Sequence, residues 1–185
     1  MVIDRRELLS YLGYRGQEIS KELEEKISQA ISICEKLATP RSVVKRFKVN
    51  KETKLIEGTT LSLPGKDIWE HIDGCSEIYL LCATIGFNME KEIAKNFVKD
   101  KTLALFLDAA ATCAIESYLD DLEKTLEGTL TTRYSCGYGD LNIEIQKDIC
   151  AVLDTFRKIG VYVNEAYMLS PQKSVSAIIG VKDEL

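Results

Sequence analysis

The sequence predicts an α+β fold, a mixed or antiparallel sheet flanked by long helices, from three observations. Residues 17–38 and 101–127 each place apolar side chains every three or four positions, the period of a helix with one buried face. The segment Glu77 to Thr84 is a nearly unbroken apolar run, as in a strand covered on both faces. Strands and helices otherwise mix without regular βαβ alternation.

Taken in order, the first long helix carries Ile19, Leu23, Ile27, Ala30, Ile31, Cys34 and Leu37 on one side, and Thr39-Pro40 stops it. Alternating and β-branched residues then predict two or three antiparallel strands, through Val43, Phe47 and Val49, then Leu55 and Ile56, then Leu61 and Leu63. A short helix is expected over Asp67 to Ile72, the apolar strand to Thr84, and a helix over 88–98. The second long helix follows, with Leu105, Ala109, Thr112, Cys113, Glu116, Leu119 and Leu122 along one side. Thr129 to Tyr134 reads as a strand, 143–159 as a third helix ending at Gly160, and 161–168 and 174–181 as closing strands. No internal repeat or linker is visible, so 1–185 is expected to be one domain with a helical segment, 1–40, packed on it.

Composition narrows the function. The chain is 45% hydrophobic and 29% charged, which excludes collagen-like and disordered classes. Residues 1–54 hold 12 Lys and Arg against 8 Asp and Glu; the remainder holds 12 against 21. That acidic balance argues against nucleic acid as a partner. No run approaches the ~20 apolar residues of a membrane span, and Met1 to Glu7 lack a signal-peptide core, so a cytoplasmic protein without a membrane partner is expected. The six cysteines include no C-x-x-C pair and are read as reduced thiols. The single histidine, His71, has no sequence neighbour suited to sharing a metal, so none is expected.

Two places stand out chemically. Glu116 falls on the apolar stripe of its helix, where a carboxylate either bends out to solvent or takes a cationic or hydrogen-bonding partner, an amine ligand or Arg133. The loop Arg133-Tyr134-Ser135-Cys136-Gly137-Tyr138-Gly139-Asp140 offers a guanidinium fork for a carboxylate, two aromatic faces, and glycines that let a ligand approach the backbone. It is neither a dinucleotide fingerprint, since Asn142 stands where the third glycine is required, nor a phosphate loop. No G-x-S-x-G elbow is present. Near the C-terminus, Pro171-Gln172-Lys173-Ser174-Val175-Ser176 is a polar turn entering a strand, read either as a tight strand beside a helix or as one whose Lys173 and Ser174 face a pocket.

Together, R-x-S-x-G-Y-G-D at Arg133 to Asp140 with Gln146 beyond it, P-x-K-S-V-S at Pro171 to Ser176, and Tyr11-Leu12-Gly13-Tyr14 resemble the stand-alone activation domain of cobalamin-dependent methionine synthase, over essentially the whole chain. The resemblance implies a module that binds S-adenosylmethionine and supports reductive methylation of cob(II)alamin. By the same resemblance, Arg133 would bind the amino-acid end of that ligand, and Ser135 with the backbone of Cys136 and Gly137 would hydrogen-bond to it. Tyr138, the candidate catalytic residue, would lie beside the methyl group, and Glu116 would match an acidic helix residue facing the ligand. Trp69 stands where the D-x-H-x-x-G cobalamin motif has aspartate, so cobalamin is expected only on a partner methionine synthase subunit, with a flavodoxin-like or ferredoxin-like electron donor. The chain would then be an activation subunit of a methyltransferase system. The competing readings are a corrinoid-protein docking module that does not use S-adenosylmethionine, and a stand-alone small-molecule methyltransferase.

Overall fold

The computed structural model describes residues 1–183; Glu184 and Leu185 lie outside the described residues. The chain is α+β and divides into two compact units, each assembled from three stretches. The first comprises Met1–Arg41, Thr84–Thr125 and Pro171–Lys173; the second comprises Ser42–Ala83, Leu126–Ser170 and Ser174 onward.

The first unit is helical. It contains α1 (Arg5–Tyr11), α2 (Lys21–Leu37), α4 (Phe87–Lys99) and α5 (Lys101–Glu123). Side chains cap three of these helices at their N-termini: Asp4 accepts from the Arg6 N–H, Ser20 from Leu23, and Asp100 from Leu103. Helix α5 packs against α1, α2 and α4. Its small residues Ala104, Ala110, Ala111 and Ala114 are buried, which allows the neighbouring helices close approach. By length and composition α5 is apolar enough to cross a membrane, but 61% of its apolar window is buried within the fold. That is the pattern of a core helix.

The second unit is built on a four-stranded sheet of order β2-β1-β3-β6, with β1 (Arg41–Asn50), β2 (Leu55–Ile56), β3 (Cys75–Thr84) and β6 (Ser174–Lys182). Strand β1 starts at the unit boundary and pairs antiparallel with β2, Val49 opposite Ile56. Helices α3 (Asp67–His71), α6 (Ile145–Leu153) and α7 (Thr155–Ile159) and an antiparallel pair, β4 (Tyr162–Val163) with β5 (Leu169–Ser170), complete it. Ile78, Leu80 and Cys82 of β3 enter one core with Ile68, Ile149, Leu153 and Ile178. Tyr79, Leu81 and Ala83, on the other face of the strand, are buried as well.

Three sequence expectations are corrected. The helix expected over 143–159 is two helices, because Asp154 adopts a left-handed conformation (φ 57°) that a helix cannot carry through. Thr129 to Tyr134 runs beside β6 without forming a regular strand. Only Leu130 and Tyr134 make bridges to it, and the Thr131 hydroxyl oxygen accepts the Gly180 N–H that a regular ladder would give to a carbonyl. The strand expected over 161–168 is cut to Tyr162–Val163 by a turn in which Asn164 Oδ1 accepts the N–H groups of Ala166 and Met168.

Candidate functional site

In the second unit the loop predicted from Arg133 to Asp140 is a closed, hydrogen-bonded structure. It is anchored where Tyr134 and Ile178 exchange two backbone bonds of 2.8 Å. Beyond that anchor, Tyr138 N–H donates to Ser135 (3.3 Å), Gly137 N–H to Leu141 (2.8 Å), and Leu141 N–H to Tyr138 (3.1 Å). The Tyr134 hydroxyl donates to the Tyr138 carbonyl at 3.1 Å, so one side chain of the loop also supports its far end. Gly137 and Gly139 have φ of 90° and 52°. A Cβ at Gly139 would run into the Asp67 carboxylate and the Tyr134 hydroxyl, so that position requires glycine for space as well as for conformation.

The end of the loop is locked to α3. The Asp140 carboxylate accepts the N–H groups of Lys66 (2.7 Å) and Asp67 (3.1 Å), while the Asp67 carboxylate accepts the Asp140 N–H (3.2 Å). Helix α3 has no side-chain cap from its own N-cap residue; Asp140 supplies one from 73 positions away. The two backbone donors hold the Asp140 carboxyl below the usual aspartate range, with Lys66 the larger influence.

An aromatic row lies along the same face. The rings of His71 and Tyr134 are 5.1 Å apart and those of Tyr134 and Tyr138 are 6.5 Å apart, edge to face. His71 Nε2 is 2.8 Å from the Thr132 carbonyl oxygen, to which it donates. Burial, then the charges of Asp67 and Asp140, push the Tyr134 phenol above its usual range. Tyr138 is 67% exposed, leaving its ring open to a ligand or partner.

Of the residues singled out in the sequence, Arg133, Ser135, Gly137 and Tyr138 share this loop; Arg133 and Ser135 are partly buried, Gly137 and Tyr138 exposed. The Cys136 side chain turns into the core beside Leu141 and Ile149, where burial pushes its thiol up to about 12. Glu116 belongs to the first unit, partly buried on α5; Glu7 and Tyr11 of α1 are raised chiefly by burial, with the charge of Glu116 a lesser cause. Gln146 and Ser176, one from each of the two main motifs, are both buried and joined: the Ser176 hydroxyl donates to Gln146 Oε1 at 3.3 Å. Sequence reasoning missed Asp67 and the packing role of His71. No spacing signals a partnership between Asp67 and Asp140, which depends on the fold alone. Among the described residues, no group of three or more His, Cys, Asp or Glu is placed to hold a metal ion.

No family model matches this chain, and no characterised protein matches it by sequence. Its structure does resemble a solved one. It is similar to the crystal structure of the MetH reactivation domain bound to AdoHcy, with a TM-score of 0.65 and 15% sequence identity, over 97% of this chain and 76% of that one. At that identity the likeness establishes the fold.

Proposed function

We propose that this chain is an S-adenosylmethionine-binding reactivation module that serves a cobalamin-dependent methionine synthase. The observation that carries the reading is the Arg133–Asp140 loop, closed by its own hydrogen bonds and locked to α3, in a chain with the fold of a reactivation domain that holds AdoHcy. The residues fit such a ligand. Arg133 offers a planar donor pair for a carboxylate, and Ser135 adds a hydroxyl. The exposed Tyr138 ring offers an aromatic face to a sulfonium.

S-Adenosylmethionine would supply an electrophilic methyl group. The loop's part is orientation, which needs no acid or base. The guanidinium of Arg133 fixes the amino-acid end, and Tyr138 flanks the methyl group. Tyr134 and Asp140 keep both in register by bracing the loop. Cobalamin would arrive on a partner methionine synthase subunit, with electrons from a flavodoxin-like or ferredoxin-like donor, in the cytoplasm. Glu116 enters only through the resemblance, and Glu116→Gln is its separate test.

Calorimetric titration with S-adenosylmethionine tests the reading. Wild type is expected to bind saturably, with at least about a tenfold loss in Arg133→Ala, the scale of one charge-assisted hydrogen bond. Equal binding by Arg133→Ala would overturn the placement. No binding by wild type would overturn the ligand and favour a docking module.

A further inference from the structure

We propose that the first unit holds a second small-molecule site, in the cleft between α4 and α5, for an apolar α-amino acid in its zwitterionic form. The cavity measures about 330 Å³, within the range of small-ligand pockets. One wall is a face of α4, with Glu90, Ile93, Ala94 and Phe97 at the spacing of a single helical stripe. The opposite wall is Asp108 of α5 and the turn at Gln172 and Lys173.

The fold fixes Lys173 from two sides. Its carbonyl accepts the Ile85 N–H at 3.2 Å and the Thr84 hydroxyl at 3.4 Å. Its ammonium donates to the Thr112 hydroxyl and pairs with Asp108, each at 2.9 Å. The side chain is 17% exposed, so the cation is held at the cavity wall rather than extended into water. An ammonium has three donors. Two are engaged by Thr112 and Asp108, which leaves one for a ligand carboxylate.

Glu90 supplies the opposite charge. One of its oxygens accepts the Gln172 N–H at 3.0 Å, which places its carboxylate beside the turn that carries Lys173. The remaining acceptor capacity of that carboxylate suits an ammonium. One ammonium and two carboxylates, Asp108 paired with Lys173 and Glu90 beside them, with Ile93, Ala94 and Phe97 along the wall, match a ligand with adjacent carboxylate and ammonium groups and an apolar tail. Phe97 is mostly exposed, so much of its ring is available to cover such a tail. The site is independent of the Arg133–Asp140 loop and of the reading given to it.

The test is a titration of the ¹⁵N-labelled full chain with L-leucine and L-methionine, followed by amide shifts. Expected are saturable shifts concentrated in Glu90–Phe97, Asp108 and Gln172–Lys173. Leucinamide, which lacks the carboxylate, and N-acetyl-leucine, which lacks the ammonium, should each bind at least about tenfold more weakly. Glu90→Gln keeps an acceptor for Gln172 and Phe97→Ala alters an exposed ring, so both variants should fold and both should weaken leucine. Shifts that do not saturate, or that scatter over the chain, would overturn the proposal. So would binding of leucinamide or of N-acetyl-leucine as tight as that of leucine, or unchanged affinity in both variants.

Discussion

The hydroxyl of Tyr134 donates to the carbonyl oxygen of Tyr138, four residues further along the same loop, at 3.1 Å. The same carbonyl accepts the Leu141 N–H, so both of its lone pairs are occupied and Tyr138 is held by its main chain while its ring stays exposed. Tyr134→Phe keeps the ring between those of His71 and Tyr138 and removes only the donor. The expected cost is about 0.5–1.5 kcal/mol in urea unfolding, with a larger proportional loss in any ligand affinity that needs Tyr138 in place. Unchanged stability and unchanged binding together would show that the bond does not order the loop.

Gly139→Ala tests the cradle. The added Cβ meets Asp67 and the Tyr134 hydroxyl, and φ is already in the left-handed region, so conformation and space oppose it together. A loss of about 1–3 kcal/mol is expected. Gly13→Ala is the control: its φ is also positive (77°), but nothing lies within 4 Å, so the strain is conformational only and a smaller loss, about 1 kcal/mol, is expected. Equal losses at the two positions would argue that the crowding at Gly139 relaxes freely.

Asp140 gives the site a pH dependence with a definite sign. Backbone donors depress its folded pKa below the unfolded value, so its contribution is present above the unfolded value, about 3.9, and is lost as pH falls through the depressed one. Asp140→Asn should therefore be less stable than wild type at neutral pH, with the gap closing in acid. Chemical denaturation across that range reads it directly. A gap that widens in acid would contradict the assignment.

The cysteines should differ sharply in reactivity. Burial pushes Cys34, Cys113 and Cys136 up to about 12 and also raises Cys75. Cys82 is raised chiefly because its thiol donates to Cys150, which is correspondingly lowered. Cys150 also lines a cavity of about 190 Å³ with Thr155, Phe156 and Tyr162. Alkylation at mildly alkaline pH, followed by peptide mass spectrometry, should label Cys150 first and the others only on unfolding. Early labelling of Cys34 or Cys113 would show that the helical unit opens readily.

Elements with a strong period were legible in the sequence. Helices α2 and α5 and strand β3 lie where apolar spacing places them, because burial of a whole face leaves a regular trace. The break at Asp154 left no trace, since Ile149, Val152, Leu153 and Phe156 keep a helical rhythm across it. Thr129 to Tyr134 misled because β-branched residues favour extended chain whether or not a ladder forms. The loop residues were legible by type, as glycine, arginine and tyrosine in close order. Their bracing was not. Asp67 with Asp140, and Gln146 with Ser176, are contacts between distant stretches that no local pattern encodes.

Lys173 reaches the helical unit in a visit of only three residues, Pro171–Lys173, between two stretches that build the other unit. Its partner Thr112 precedes it by 61 positions. On the ribosome, where chains emerge at about 5–20 residues per second, helices α1, α2, α4 and α5 are therefore all made before the cation that neutralises Asp108 exists. For those seconds the nascent unit carries Asp108 without its counter-ion and an unfinished wall, and it reaches its final form only as strand β6 is about to be made. A stop codon or frameshift upstream of residue 171 would remove a structural part from the helical unit as well as strand β6 from the sheet.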